Sequence, residues 1–191
     1  MRYCVFSGSN SGVRADYTSA ADELGELLGS SGIGLVYGGS SVGLMATIAN
    51  STLKEGGEVI GVIPRFLADR EVAHKGLNDL RIVSSMHERK ALMAELSDGF
   101  IALPGGIGTL EETFEVWTWA QLGQHRKPCA LLNCVGFYDG LTSFLDHIVE
   151  EGFLKAEHRN TLISERTPRS LLLAMKEFEP SAPVSKWVGR E

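Results

Sequence analysis

Cysteine is scarce in this 191-residue chain: there are three, and an odd number gives no basis for a disulfide framework. Cys4, Cys129 and Cys134 each sit in or beside an apolar run, where a thiol is expected to behave as a small buried hydrophobe. No apolar run approaches the ~20 residues that a membrane span requires. Residues 1–6 pass straight into Ser7-Gly8-Ser9, too short a stretch for a secretory h-region, so a cytoplasmic location is expected. Cations are also in deficit, 18 Lys and Arg against 24 Asp and Glu, for a formal net charge of −6. That balance argues against nucleic acid or an anionic membrane as a partner, because both need clustered cations to displace counterions. A small anionic ligand stays open, since backbone dipoles act locally whatever the global sign. The five histidines, His74, His87, His125, His147 and His158, show no H-x-x-x-H or H-E-x-x-H spacing, and no metal site is expected.

What is present is an ordinary globular composition, 43% apolar and 22% charged. The length suits one domain spanning residues 1–191. Short apolar runs ending in Gly or Pro alternate with longer stretches of helical period. Strands are expected at 3–6, 34–37, 59–63, 80–83, 100–103 and 129–132, and helices at about 15–28, 44–55, 87–96, 110–122 and 138–150. One more helix, 170–178, follows Pro168, and the end from about 180 to 191 is expected to fray. Alternation of this kind makes an α/β domain, a Rossmann-like open parallel sheet flanked by helices on both faces. In such a sheet ligands gather outside the carboxyl ends of the strands, so the loops after strands carry the functional reading.

Three of those loops are glycine turns leading into helices: Ser7-Gly8-Ser9-Asn10-Ser11-Gly12, Gly38-Gly39-Ser40-Ser41-Val42-Gly43 and Pro104-Gly105-Gly106-Ile107-Gly108-Thr109. Glycine lets a ligand approach the main chain, and the helix start that follows offers unpaired N–H groups at a positive dipole end, a combination suited to phosphate. Any one such turn is equally explained by the needs of a strand-to-helix connection; three at one sheet edge are less easily so. No Gly-Lys-Ser/Thr follows any of them, and none has the spacing and partnered acid of a dinucleotide fingerprint, which disfavours ATP hydrolysis and NAD chemistry.

Two charged clusters continue apolar stripes. Arg89 shares a helix face with Leu92, Met93 and Leu96, so its guanidinium is expected either to meet a carboxylate or phosphate or to snorkel past the helix start into water. Glu112 and Glu115 share a face with Val116 and Trp119; Thr109-x-x-Glu112 also reads as a capping box, an alternative that the local pattern leaves open. A phosphate cradle with an Arg and carboxylates over one cleft suits N-glycosidic cleavage, whose oxocarbenium-like transition state a carboxylate stabilises or supplies with water. Trp117 and Trp119, two residues apart, cannot face the same side of one helix; one is expected on the sheet, the other at the cleft or a dimer seam.

Met86-His87-Glu88-Arg89-Lys90, followed by Pro104-Gly105-Gly106-Ile107-Gly108-Thr109-Leu110-Glu111-Glu112, closely resembles the two signature motifs of the Lonely Guy (LOG) family. The likeness extends over roughly residues 3–155 and includes Phe6-Ser7-Gly8-Ser9 and Gly38-Gly39. The chain departs at Ser40, where the family usually has a third glycine, and at Ala46, where it has another. The resemblance implies a phosphoribohydrolase that releases an N6-substituted adenine and ribose 5-phosphate from a cytokinin riboside 5'-monophosphate, with AMP as a further expected substrate, working as a homodimer without metal or organic cofactor. It implies Arg89 and Glu112 as the catalytic pair. Substrate-binding positions by the same resemblance are Gly8, Ser9, Gly39, Glu71, Met86, Lys90, Gly105, Gly106, Ile107, Gly108, Thr109, Leu110, Glu111, Glu115 and Thr118. A non-catalytic nucleotide or cofactor carrier of the same fold is the alternative. A lysine decarboxylase is disfavoured, because a pyridoxal enzyme needs a Schiff-base lysine with its own setting, which Lys90 beside Arg89 lacks.

Overall fold

The computed structural model describes residues 1–77 and 79–180, apart from the side chains of Arg70 and Glu71. The expected frayed end therefore lies, from 181 on, outside the described residues, as does the side chain of Glu71.

Seven strands form one parallel sheet: β1 (Arg2–Phe6), β2 (Gly34–Tyr37), β3 (Val59–Pro64), β4 (Asp79–Val83), β5 (Gly99–Ala102), β6 (Cys129–Leu132) and β7 (Leu162–Glu165). They run in the order β4-β3-β2-β1-β5-β6-β7. Strands β1, β2, β5 and β6 are buried on both faces, which is why each reads as an unbroken apolar run rather than an alternation.

Side-chain alternation along these strands feeds two cores. Tyr3, Val5, Leu35, Tyr37, Ile101 and Leu103 pack beneath α1 (Ala15–Ser30), α2 (Gly43–Lys54) and α8 (Pro168–Lys176). Cys4, Phe6, Val36, Phe100 and Ala102 pack beneath α4 (Met86–Glu95), α5 (Ile107–Gln121) and α6 (Asp139–Glu150). Helices on both faces of a parallel sheet, as expected, are thus observed. All three cysteines are buried free thiols, with burial pushing the Cys129 thiol up to about 12.

The chain order reverses at β1, which has β2 on one side and β5 on the other. The loops after β1 and β5 therefore lead to helices on opposite faces, opening a crevice at their carboxyl ends. Several elements depart from the expected ones. The helix after β5 begins at Ile107, three residues before the expected start, and β7, a short α3 (Arg65–Leu67), a π-helical turn (Ala68–Val72), a 3-10 turn (Cys134–Gly136) and α7 (Ala156–Arg159) were not anticipated. These pieces have too few turns to show a period, and β7 has Leu162 as its only fully buried residue.

Candidate active site

The three glycine turns are knitted into one wall by backbone hydrogen bonds. Gly8 N–H donates to the Pro104 carbonyl at 3.1 Å, and the Gly8 carbonyl accepts from Leu44 N–H at 3.1 Å. The Tyr138 hydroxyl donates to the Leu103 carbonyl at 2.6 Å and anchors the end of β5 from the far side. Two glycines are required by contact within the protein itself. A Cβ on Gly43, which has φ 60°, would lie 2.3 Å from the backbone carbonyl carbon of Ser9, and one on Gly105 would lie 2.1 Å from Thr109 Oγ1 and 2.9 Å from the Gly8 nitrogen.

Two helices aim their starts at this wall, and they differ. Helix α4 is closed: Ser85 Oγ accepts from Glu88 N–H, while the Glu88 carboxylate reaches back to Ser84, which holds it below the usual glutamate range. Helix α5 begins after Gly106 with no side-chain cap and no acid in its first turn. The N–H groups of Ile107, Gly108 and Thr109 have no intrahelical partner and stand at the positive dipole end, so α5 is the start that an anion would occupy. The Thr109-x-x-Glu112 capping box does not form. Thr109 is already inside the helix, buried, and its carbonyl accepts from Thr113 Oγ1.

With its capping role removed, Glu112 turns inward. Its Oε1 lies 3.1 Å from Arg89 Nη2, both side chains about one-tenth exposed. Burial is the main influence on this carboxyl and pushes its pKa up; the Arg89 charge opposes that without cancelling it. The pair is close but not aligned. Arg89 Nε and Glu112 Oε1 make no hydrogen bond among the described residues, and neither does the buried Ser7 Oγ nearby in the same cleft. Buried polar atoms without partners are costly, and a ligand supplying the missing bonds is the ordinary reason for keeping them.

The cleft, about 1100 Å³ including its open mouth, is lined by Gly8, Ser9, Met86, Arg89, Gly106, Ile107, Gly108, Thr109, Glu111 and Glu112, all ten anticipated from sequence. Not anticipated were Ser7, Val42, Met45, Leu67 and Val72, which also line it; aliphatic residues carry no signal that separates a cleft wall from core. Other anticipated positions are not brought to the cleft of this chain. Gly39 packs against Ile63 and Leu80, and Gly105 faces a neighbouring hollow beside Tyr17 and Phe137. Leu110 packs into the core under α5, while Thr118 is exposed three turns along it. Lys90 and Glu115 face each other: Lys90 Nζ bridges Glu111 and Glu115, the latter at 3.0 Å. Burial works against the Lys90 charge, yet the bonds to both acids outweigh it and hold the ammonium above the usual lysine range. Trp117 is core, its indole N–H donating to Thr161 Oγ1, and half-buried Trp119 packs against the same core, so neither reaches the cleft. His87 is exposed.

The family model described as possible lysine decarboxylase matches residues 45–175. The chain is 52% identical over 183 residues to cytokinin riboside 5'-monophosphate phosphoribohydrolase LOG of Oryza sativa subsp. japonica, covering 96% of this chain and 76% of that protein. It is 49% identical to the Arabidopsis thaliana relative LOG1, covering 94% and 84%. Among solved structures, the molybdenum cofactor binding protein of Rippkaea orientalis superimposes with a TM-score of 0.68 at 22% identity, over 92% of this chain and 94% of that one, a likeness of fold. With half its residues shared with the plant proteins along nearly its whole length, the chain belongs to the LOG family.

Proposed function

We propose that this enzyme hydrolyses the N-glycosidic bond of N6-substituted adenosine 5'-monophosphates, and of AMP, to free base and ribose 5-phosphate. The observation that carries the reading is the Arg89–Glu112 pair, buried and incompletely bonded, beside the uncapped start of α5. The 5'-phosphate accepts from the N–H groups of Ile107, Gly108 and Thr109, which sets the ribose over the pair. As the bond to the base stretches, positive charge grows on the ribosyl ring, and the Glu112 carboxylate stabilises it and directs water to the anomeric carbon. Arg89 supplies guanidinium donors to the sugar or to the departing base. Chemistry at a lysine is a poorer fit despite the family model's description, since Lys90 is held protonated by two carboxylates and does not line the cleft.

Curated relatives at half identity bear the hydrolase name, whereas the carrier proteins share the fold at about a fifth identity. A homodimer belongs to the same proposal. It is supported by exposed Ile82 on β4, an outer strand of the sheet that also offers unpaired backbone groups. Light scattering tests it, with a monomer as the contrary result. A cytoplasmic site of action is supported by three thiols that stay free.

Incubation with isopentenyladenosine monophosphate and with AMP, followed by chromatography of free base, tests the reaction. Glu112→Gln is expected to lower base release by about 10³-fold. Undiminished release by a folded variant would sink the assignment.

A further inference from the structure

Two bridges, not one, join α4 to α5 next to the cleft. Arg89 meets Glu112, both lining the cleft, and one residue further along α4, Lys90 meets Glu111, which also lines it, and Glu115, which does not. Glu111 and Glu115 are one turn apart on the same face of α5, an arrangement that repels when uncompensated. Both flank Glu112. The Lys90 side chain is only 9% exposed, so a buried ammonium holds two partly exposed carboxylates, and the buried residue gives this bridge its geometry.

Resting on the functional reading above, we propose that Lys90 is a positioning residue acting through charge: it fixes the first turns of α5 against α4 and, by neutralising Glu111 and Glu115, keeps Glu112 ionised at the reacting bond. The charged and titratable groups acting on Glu112 are Arg89 and Lys90 from α4, Glu111 and Glu115 on its own helix, and the buried Cys4 thiol from β1. Arg89 and Lys90 favour the carboxylate, while Glu111 and Glu115 favour the acid. Without Lys90, a favourable charge disappears and two unfavourable ones lose their compensation, so both changes raise the pH at which Glu112 ionises.

The test measures kcat/KM against pH, alongside a carbon-detected NMR titration of the Glu112 carboxyl, which reports whether or not base is released. In Lys90→Met, the acid limb and the Glu112 midpoint are expected to rise together by roughly one pH unit. Lys90→Arg keeps the charge and should hold both near the wild-type position. The Glu111→Gln/Glu115→Gln double variant, with Lys90 retained, should move them down, and it decides the matter if Lys90→Met does not fold. A Glu112 midpoint unmoved in the double variant, or a KM raised about tenfold in Lys90→Met with its acid limb in place, would overturn the inference and make Lys90 a plain structural brace or a substrate contact. Absence of base release by the wild-type enzyme would overturn only the functional reading, because the carboxyl titration still decides the role of Lys90.

Discussion

Arg89 and Glu112 stand 3.1 Å apart on adjacent helices, yet the carboxyl remains harder to ionise than an ordinary glutamate. Desolvation of the acid exceeds the attraction of its partner, the general hazard of buried ion pairs. A pH dependence follows. Between 4.5 and its raised pKa the folded protein holds a proton on Glu112 that the unfolded chain has already released. Folding stability therefore falls as pH rises through the window above 4.5, and the cost is fully present once Glu112 is ionised. Glu112→Gln removes that titration. Its unfolding free energy, measured by denaturant melts from pH 4 to 8, should gain on the wild type as pH rises, while catalysis is lost. A difference that stays flat with pH would show that the carboxyl is not perturbed.

Gly105 and Gly106 are neighbours with opposite reasons to be glycine. At Gly105 a Cβ would collide with Thr109 and with the backbone of Gly8, so Gly105→Ala should destabilise the fold by about 1–3 kcal/mol. At Gly106 a Cβ meets nothing within 4 Å, and φ −93°, ψ −157° is backbone that any residue adopts. The free protein does not need glycine there, but a phosphate lying against the helix start does. Gly106→Ala should keep or slightly raise Tm and lower kcat/KM by about 10²-fold. Equal activity with and without the methyl would place the anion elsewhere.

The sheet was legible because its central strands are buried on both faces and so appear as short apolar runs closed by Gly or Pro. β7 was not, since its Leu-Ile-Ser-Glu buries one residue fully at the sheet edge. The start of α5 was misjudged for a related reason. Gly106-Ile107-Gly108 reads as loop by propensity, and Ile107 is 87% exposed, yet the helix begins there with its N–H groups unspent. Arg89 and Glu112 could be found because charge on an apolar stripe is anomalous. Lys90 is one residue past Arg89, a step of about 100° around α4, and Glu115 is three past Glu112, about 60° short of a full turn of α5; these offsets take both off the cleft and onto each other. Ser7 belongs to the first glycine turn, but it is not distinguished there from its neighbours, because a serine after a strand is unremarkable until its burial is known.

Ser7 is 8% exposed and lines the cleft, and its buried hydroxyl has no hydrogen-bond partner among the described residues. A structural hydroxyl would lower stability when removed; one waiting for substrate should not. Ser7→Ala is accordingly expected to melt at or above the wild-type temperature while kcat/KM falls roughly three- to tenfold, the worth of one neutral hydrogen bond. A lower Tm with unchanged kinetics would make Ser7 a packing residue.

Val135 adopts φ 47°, ψ 27°, a left-handed conformation that a β-branched side chain strongly disfavours. It is followed by Gly136 at φ 75°, so the turn after β6 reverses on two left-handed residues in succession. The side chain is 43% exposed and takes no part in the cleft wall, so little apolar burial offsets the strain. Asparagine tolerates this region far better, since its short amide bonds locally to the backbone. Val135→Asn should therefore stabilise the protein by about 1 kcal/mol. That gain raises Tm by roughly 2–4 °C for a chain of this size, with base release unchanged. A lower Tm would show that the valine methyls contribute more to packing than the backbone loses to strain.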